Sequence, residues 1–233
     1  MNIANKNYFN LYLLILFSFL VRVIAVYYYG DAELEYEWKT LLNNLYNNGV
    51  LSIYKFDDKF VPSVFMPPLY VYFLFTLKLL VSENVYLIKV VLFVQIILST
   101  MSIFIFYKLN NFLFSKNWSI FNAFLLSIFP LKIYMTTQIS SITLQIFLLI
   151  LYLYLFFLID KLDKFTWYRI TFFSIVSGLL MLLRGEYYLI FVISLIYLFI
   201  LKKINLKKSM VILLISLLVI SPYLTRNYLT FNK

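Results

Sequence analysis

The run from Tyr8 to Tyr28 reads YFNLYLLILFSFLVRVIAVYY and is almost entirely apolar. About 20 apolar residues in a helix cross the roughly 30 Å of hydrocarbon in a bilayer. The run holds a single charged residue, Arg22, and no small-residue cleavage site follows it. We therefore predict that this segment is an uncleaved membrane anchor.

The composition extends this conclusion to the whole chain. Of the 233 residues, 64% are hydrophobic and 13% are charged, whereas soluble domains are about half apolar and about a quarter charged. The chain has no cysteine and no histidine, which excludes disulfides, metal sites built on those residues, and thiol or imidazole catalysis. A net charge of +10 in such a protein indicates basic loops at the cytoplasmic face, and we expect no nucleic-acid partner.

Further apolar runs predict an all-α membrane protein with about seven transmembrane helices and an external juxtamembrane helical loop. The predicted spans are residues 8–28, 85–107, 119–134, 139–159, 170–183, 187–201 and 210–224, within a single module over 1–233. The run from Pro67 to Val81 is ambiguous, because as a helix it would reach only about 22 Å.

The distribution of basic residues predicts the orientation. If residues 67–81 lie along the surface, the basic loops at 108–116, 161–169 and 202–208 share a side with the amino terminus. That side is cytoplasmic by the positive-inside rule. If residues 67–81 also span, these loops lie opposite the amino terminus and the acidic segment moves inside. We expect the first arrangement, in an integral protein of a bacterial inner (plasma) membrane with a cytoplasmic amino terminus.

The predicted external loop, residues 30–84, is rich in carboxylates. Six of the ten acidic residues of the chain lie in its first part, residues 30–62, namely Asp31, Glu33, Glu35, Glu37, Asp57 and Asp58. Apolar residues recur at helical spacing in EYEWKTLLNNLYNNG, which predicts an amphipathic helix at the membrane surface. Asp31 is the predicted N-cap and Gly49 the predicted end of that helix. Asp31 and Glu35 are four residues apart and would then share a face.

Several charged residues fall near the predicted external ends of spans. They are Arg22, Lys132, Arg184, Glu186 and Arg226. Such residues either extend to the lipid headgroups or form an anion site facing the acidic loop, and both interpretations stay open. The MPPLY motif at 66–70 predicts a helix start at its prolines, and Pro130 and Pro222 are predicted places for a helix to end.

Taken in order, five segments resemble the GT-C superfamily of integral-membrane glycosyltransferases, in particular the lipid A core and mannosyltransferase-like branch that uses polyprenyl-phosphate sugars. The segments are GDAELEYEWKTLLNNLYNNG, MPPLYVYFL, FPLKIYMTTQISSITLQIFLLIL, GLLMLLRGEYYLI and SPYLTRNYLTF. The resemblance implies transfer of a sugar, with inversion, from a polyprenyl-phosphate donor to a hydroxyl of a lipid or glycan acceptor at the external face.

The same resemblance implies roles for individual residues. Asp31 matches the catalytic aspartate, with Glu35 as the alternative base. Arg184 and Arg226 match basic positions at outer helix ends, and Lys132 and Tyr70 are further candidates for binding the substrate phosphate. No metal ligands are predicted, although an external carboxylate cluster leaves a divalent cation possible.

Two other classes of function remain open. Relatives of that superfamily continue for several more spans, so this chain is alternatively an accessory, donor-binding subunit that works with a separately encoded carboxy-terminal partner. A small transporter is less favoured, because a transport pathway places charges near the bilayer centre, whereas the predicted charges here gather at one face.

Overall fold

The computed structural model describes residues 3–57, 59–64, 66–81, 84–161 and 167–231, so Asp58 of the acidic loop lies outside the described residues. The elements in chain order are α1 (Ile3–Tyr29), α2 (Tyr36–Asn48), β1 (Ser52–Phe56), β2 (Lys59–Pro62), α3 (Pro68–Leu80), α4 (Asn84–Asn110), α5 (Lys116–Ile128), α6 (Pro130–Thr137), α7 (Ile142–Lys161), α8 (Trp167–Leu183), α9 (Tyr187–Ile200) and α10 (Leu206–Phe231). The predicted all-α membrane fold is confirmed, with one antiparallel hairpin, β1–β2, that we did not predict.

The number of spans is less simple than the hydropathy pattern indicates. Within the described residues, α1, α4, α7 and α10 are long and apolar enough to cross a membrane, and the bent pair α5–α6 is a fifth candidate. α8 and α9 have 17 and 14 residues, so they reach only about 25 and 21 Å. The count of seven spans therefore stays a prediction.

The predicted span 119–134 is not one straight helix, and whether it crosses the membrane stays a prediction. The helix stops after Ile128, and α6 restarts at Pro130 with a bend of 50°. Pro130 has no backbone N–H, and its ring excludes the preceding residue from helical geometry. Pro222, in contrast, lies inside α10 and does not end that helix.

The described chain forms two compact units. The first consists of Met1–Glu33 and Glu83–Phe157. In it, α4 packs against α1, α5 and α6, and the core includes Leu11, Ile103 and Ala123. The single module predicted over the whole chain stays a prediction.

The second unit consists of Leu34–Ser82 and Leu158–Lys233, and its central contact is between α8 and α10. The two helices approach closely at Gly178. A Cβ atom at this position would lie 2.7 Å from the Cβ of Val219. One turn earlier, the Ser216 hydroxyl donates a hydrogen bond of 3.0 Å to the carbonyl oxygen of Ser174.

The amphipathic helix of the external loop is present, but it begins later than predicted. α2 starts at Tyr36, with Glu35 at the N-cap position and no side-chain capping bond. Asp31 therefore neither caps the helix nor shares a face with Glu35. The predicted end is confirmed, because Gly49 has φ 69°, a left-handed conformation that glycine adopts at low cost.

The MPPLY motif begins α3 as predicted, with Pro68 as the first helical residue. Proline is tolerated there because the first N–H groups of a helix have no intrahelical acceptor. Trp38 of α2 packs edge-on against Tyr70 of α3, with ring centroids 4.8 Å apart. This contact joins the loop helix to α3 inside the second unit.

Candidate functional site

Asp31 is anchored by two hydrogen bonds within the first unit. Its backbone N–H donates to the carbonyl oxygen of Thr137 at 3.0 Å, and its Oδ2 accepts from the backbone N–H of Ile139 at 2.6 Å. These bonds hold Asp31 at the turn after α6. Its carboxylate is therefore not used as the cap of α2. In the described part of the chain, Oδ1 has no hydrogen-bond donor, so this oxygen remains able to accept a proton.

The turn that holds Asp31 is itself held by a buried side chain of α4. Gln95 is 1% exposed, and its Nε2 donates to the carbonyl oxygens of Gln138 at 2.8 Å and Thr136 at 3.3 Å. The Thr136 carbonyl lies in the last turn of α6 and the Gln138 carbonyl directly follows it, so both lack intrahelical donors. Gln95 therefore satisfies them and fixes the position of the Ile139 N–H that binds the Asp31 carboxylate.

An apolar groove of about 770 Å³ lies between α1 and α4 and ends at Asp31. Its volume is within the range of about 300–1,000 Å³ common for small-molecule sites. The groove is lined by Phe19, Val23, Val26, Tyr27, Gly30, Asp31, Ala32, Val85, Ile88, Lys89, Leu92, Phe93 and Ile96. An aliphatic chain fits this lining, and among the described lining residues only Asp31 and Lys89 carry charge.

Gly30 allows the chain to leave α1 beside this groove. A Cβ atom at Gly30 would lie 2.5 Å from the carbonyl oxygen of Val26 and 3.2 Å from Cδ1 of Leu92. The first distance is shorter than any normal contact of a Cβ atom. A residue without a side chain is therefore needed directly before Asp31.

Lys132 and Tyr70, two predicted phosphate ligands, are buried by protein contacts. Lys132 is 5% exposed, and its Nζ donates to the carbonyl oxygen of Ser99 at 3.1 Å and to the Ser102 hydroxyl. Tyr70 is 1% exposed and its ring contacts Trp38 and Phe73. Each has a packing role in its own unit, and a role in binding phosphate stays a prediction.

Arg226 is engaged with backbone carbonyls of the second unit. Its Nη1 donates to Ser63 at 3.1 Å and its Nη2 donates to Leu51 at 3.2 Å. These two carbonyls flank the β1–β2 hairpin, and the Ser63 N–H also donates to the Leu51 oxygen at 2.8 Å. Arg226 therefore ties the base of the hairpin to α10.

Arg184 and Glu35 are accessible to solvent. The Arg184 and Glu186 side chains, 45% and 67% exposed, form an ion pair of 3.5 Å in the turn between α8 and α9. An exposed pair of this kind contributes little to stability. Glu35 is also exposed, at the start of α2, and its role as an alternative base stays a prediction.

A second groove, of about 470 Å³, lies within the second unit. Pro67 and Pro68 of the MPPLY motif contribute to its wall, and Gly185 lies at its edge. Its described lining contains no charged side chain. Among the described residues no group of three or more acidic residues could hold a metal ion.

Sequence reasoning did not find Gln95 or Lys89. Both interrupt the apolar run from Val85 to Tyr107, and a polar residue within a span is a signal of function or of interhelical bonding. The hydropathy pattern therefore marked both residues. It could not show that Gln95 pairs with residues about 40 positions later in the chain.

The protein is helical and membrane-embedded, carries ordered GT-C-like segments, and has a carboxylate anchored beside an apolar groove. It is a membrane glycosyltransferase of the GT-C type. The family model described as dolichyl-phosphate-mannose-protein mannosyltransferase matches residues 65–225. The match covers more than half of the chain, which therefore belongs to that family. The family indicates mannosyltransferase-like activity that depends on a polyprenyl-phosphate sugar.

The matched range contains Tyr70, Lys132 and Arg184, while Asp31 and Glu35 precede it and Arg226 directly follows it. Comparison with curated proteins and with solved structures gives no match.

Proposed function

We propose that this protein transfers a sugar from a polyprenyl-phosphate donor to a hydroxyl of a lipid or glycan acceptor at the external membrane face, with inversion at the anomeric carbon. The observation that carries this proposal is the position of Asp31. Its carboxylate is anchored by the Ile139 N–H at 2.6 Å and lies at the end of an apolar groove. A lipid-linked donor needs such a groove for its chain and a polar group at the end for its reacting head.

Asp31 is the proposed general base. As the acceptor oxygen attacks the anomeric carbon, its proton passes to Oδ1 of Asp31, while the bond from the anomeric carbon to the phosphate oxygen breaks. The electron pair of that bond leaves with the phosphate. A carboxylate is the natural base here because the chain has no histidine. Attack opposite the leaving phosphate gives inversion in one step.

Lys89 is the proposed partner of the donor phosphate within the first unit. It lines the same groove as Asp31, and its Nζ lies 5.9 Å from the ring centroid of Tyr86. Negative charge grows on the phosphate as the sugar leaves, and a nearby cation stabilises that charge. Arg184 and Arg226, which the family resemblance suggests as phosphate ligands, remain part of the proposal.

The test is sugar transfer from a labelled polyprenyl-phosphate sugar in membranes that contain the protein. Asp31→Asn keeps the shape of the side chain and removes the base, so we expect activity to fall at least about 100-fold. Asp57→Asn is the matched control. It removes another acid of the external loop, and asparagine tolerates the φ of 45° at this position.

Glu35→Gln separates the two candidate bases. Loss of activity in Glu35→Gln with full activity in Asp31→Asn would move the base to Glu35. Full activity in the double variant would contradict the proposal of a carboxylate base in this loop. Saturable donor binding without any turnover by the unmodified protein would instead identify a donor-binding subunit. Comparing the anomeric configuration of the product with that of the donor checks inversion.

A further inference from the structure

Two cations are buried together inside the first unit. Arg22 of α1 is 0% exposed and Lys132 of α6 is 5% exposed. Both bind Ser99 of α4, because Arg22 Nε donates to its hydroxyl at 2.7 Å and Lys132 Nζ donates to its carbonyl oxygen at 3.1 Å. The cluster therefore joins helices α1, α4 and α6 through one residue. Its role is not part of the transfer reaction proposed above.

Among the residues that the structure describes, all hydrogen-bond partners of these two cations are neutral. Arg22 Nη1 donates to the carbonyl oxygen and hydroxyl of Ser18 at 3.0 and 2.7 Å, and to the carbonyl oxygen of Ser127 at 3.3 Å. Lys132 Nζ also donates to the Ser102 hydroxyl. Hydroxyls and carbonyls satisfy hydrogen bonds, but they do not balance two positive charges. Leaving such charges uncompensated in a protein interior is strongly unfavourable.

Part of the donor capacity of the cluster is also unused. Arg22 Nη2 is fully buried and has no acceptor in the described part of the chain. The Lys132 ammonium has three N–H donors, and two acceptors are present for it. In the same part of the chain, neither cation forms an ion pair with a carboxylate. Asp31 is instead bound to the Ile139 N–H.

The local backbone adds positive potential. Lys132 lies in the first turn of α6, which begins at Pro130 and has 8 residues. The amino-terminal end of a helix carries a partial positive charge. Two side-chain cations that share Ser99 thus lie beside an unpartnered N–H group, and one of them belongs to the first turn of a helix. This is the combination that attracts an anion.

We propose that the Arg22–Lys132 cluster binds a small monovalent anion, of the size and charge of a chloride ion, through Arg22 Nη2 and the remaining N–H of Lys132. Water would satisfy these donors but would not compensate the charge. A lipid phosphate is a poorer fit, because both side chains are closed off by α1, α4, α5 and α6. The ion would hold the broken helix pair α5–α6 against α1, and it is a structural ligand rather than a participant in catalysis.

The test is the anion dependence of the unfolding temperature of the purified full chain in detergent. Sodium chloride, sodium bromide and sodium gluconate are compared at equal ionic strength, so that general screening is the same. We expect unfolding at least about 3 °C higher in either halide than in gluconate, since a ligand of the folded state raises its stability. Bromide in crystals should give anomalous density in hydrogen-bond contact with Arg22 Nη2.

Variants assign the effect to the cluster. Lys132→Met removes one charge and keeps the side-chain length, and we expect the halide shift to shrink or vanish. Lys108→Met, which removes a cation elsewhere on α4, should keep the full shift. Equal unfolding temperatures in halide and gluconate for the unmodified chain would overturn the proposal even if the variants fail to fold. A shift that Lys132→Met leaves unchanged, with bromide density elsewhere, would overturn it too.

Discussion

The Asp31 carboxylate accepts a hydrogen bond of 2.6 Å from the backbone N–H of Ile139, a residue 108 positions further along the chain. This bond connects the end of the first membrane helix to the turn after the broken pair α5–α6. It orients one carboxylate oxygen of a residue that also lines an apolar groove. The candidate active site therefore depends on the packing of α6 as much as on Asp31 itself.

Gln95 should control activity through this turn. Replacing it in Gln95→Met keeps its length but removes the donor to Gln138 and Thr136, so the Ile139 N–H shifts relative to Asp31. We expect kcat to fall roughly tenfold, since small misplacements of reacting groups are costly, with KM for the donor little changed. Steady-state kinetics per folded protein measure the split. Asn110→Leu is the control, because it also removes a side-chain amide from α4. Equal kcat values for the two variants would contradict the prediction.

Gly30→Ala should displace Asp31 and reduce transfer. The new Cβ atom would meet the Val26 carbonyl oxygen at 2.5 Å, so the chain must shift just before the candidate base. We expect a loss of roughly tenfold in kcat, measured in the labelled-donor assay. Gly185→Ala is matched to it, because nothing lies within 4 Å of a Cβ atom there. Unaltered activity in both variants would show that this tight turn is not needed.

Gly178→Ala should destabilise the second unit. The added methyl group would overlap the Val219 side chain at 2.7 Å and approach the Ser216 carbonyl at 3.0 Å. Overpacking of this kind costs about 1–3 kcal/mol, which thermal unfolding in detergent would detect. Adding Val219→Ala to the same chain should restore most of the loss, because it removes the overlapping atoms. Failure of this second change to restore stability would argue against close packing of α8 on α10.

Arg226→Met should release the base of the β1–β2 hairpin from α10. The change removes the bonds to Leu51 and Ser63, so trypsin should cleave at Lys55 and Lys59 faster than in the unmodified protein. Arg184→Met, which removes an exposed ion pair, should not alter cleavage. If Arg226→Met raises KM for the donor without changing cleavage, its main role is binding phosphate, as the family resemblance suggests.

Single-cysteine labelling should settle the orientation, since the natural chain has no cysteine. We expect Asp57→Cys to react with a membrane-impermeant reagent in intact cells. Lys207→Cys and Lys116→Cys, in the basic loops, should react only after permeabilisation, by the positive-inside rule. If the cysteine at position 57 and those at positions 116 and 207 are labelled from the same side, the seven-span arrangement is contradicted.

Much of the architecture was predictable because the spacing of apolar residues and the length of apolar runs depend on local structure. The run around Arg22 predicted α1, the spacing from Trp38 to Leu42 predicted the buried face of α2, and Gly49 predicted its end. Pro130 was recognised as a possible break, but not its effect on the span 119–134. The hairpin at Leu51 to Ser63 was missed because its strands are short and its base is held by Arg226, a residue far along the chain.

The amino-acid sequence is enough to conclude that this chain is a helical membrane protein of the GT-C type, that its chemistry cannot use histidine or cysteine, and that its acids concentrate in one loop. These properties follow from composition and from order along the chain. The three-dimensional packing was needed to see that Asp31 binds Ile139, that Gln95 supports this contact, and that Arg22 and Lys132 meet at Ser99. Such pairings join residues far apart in sequence, and their partners are set by helix packing rather than by local pattern.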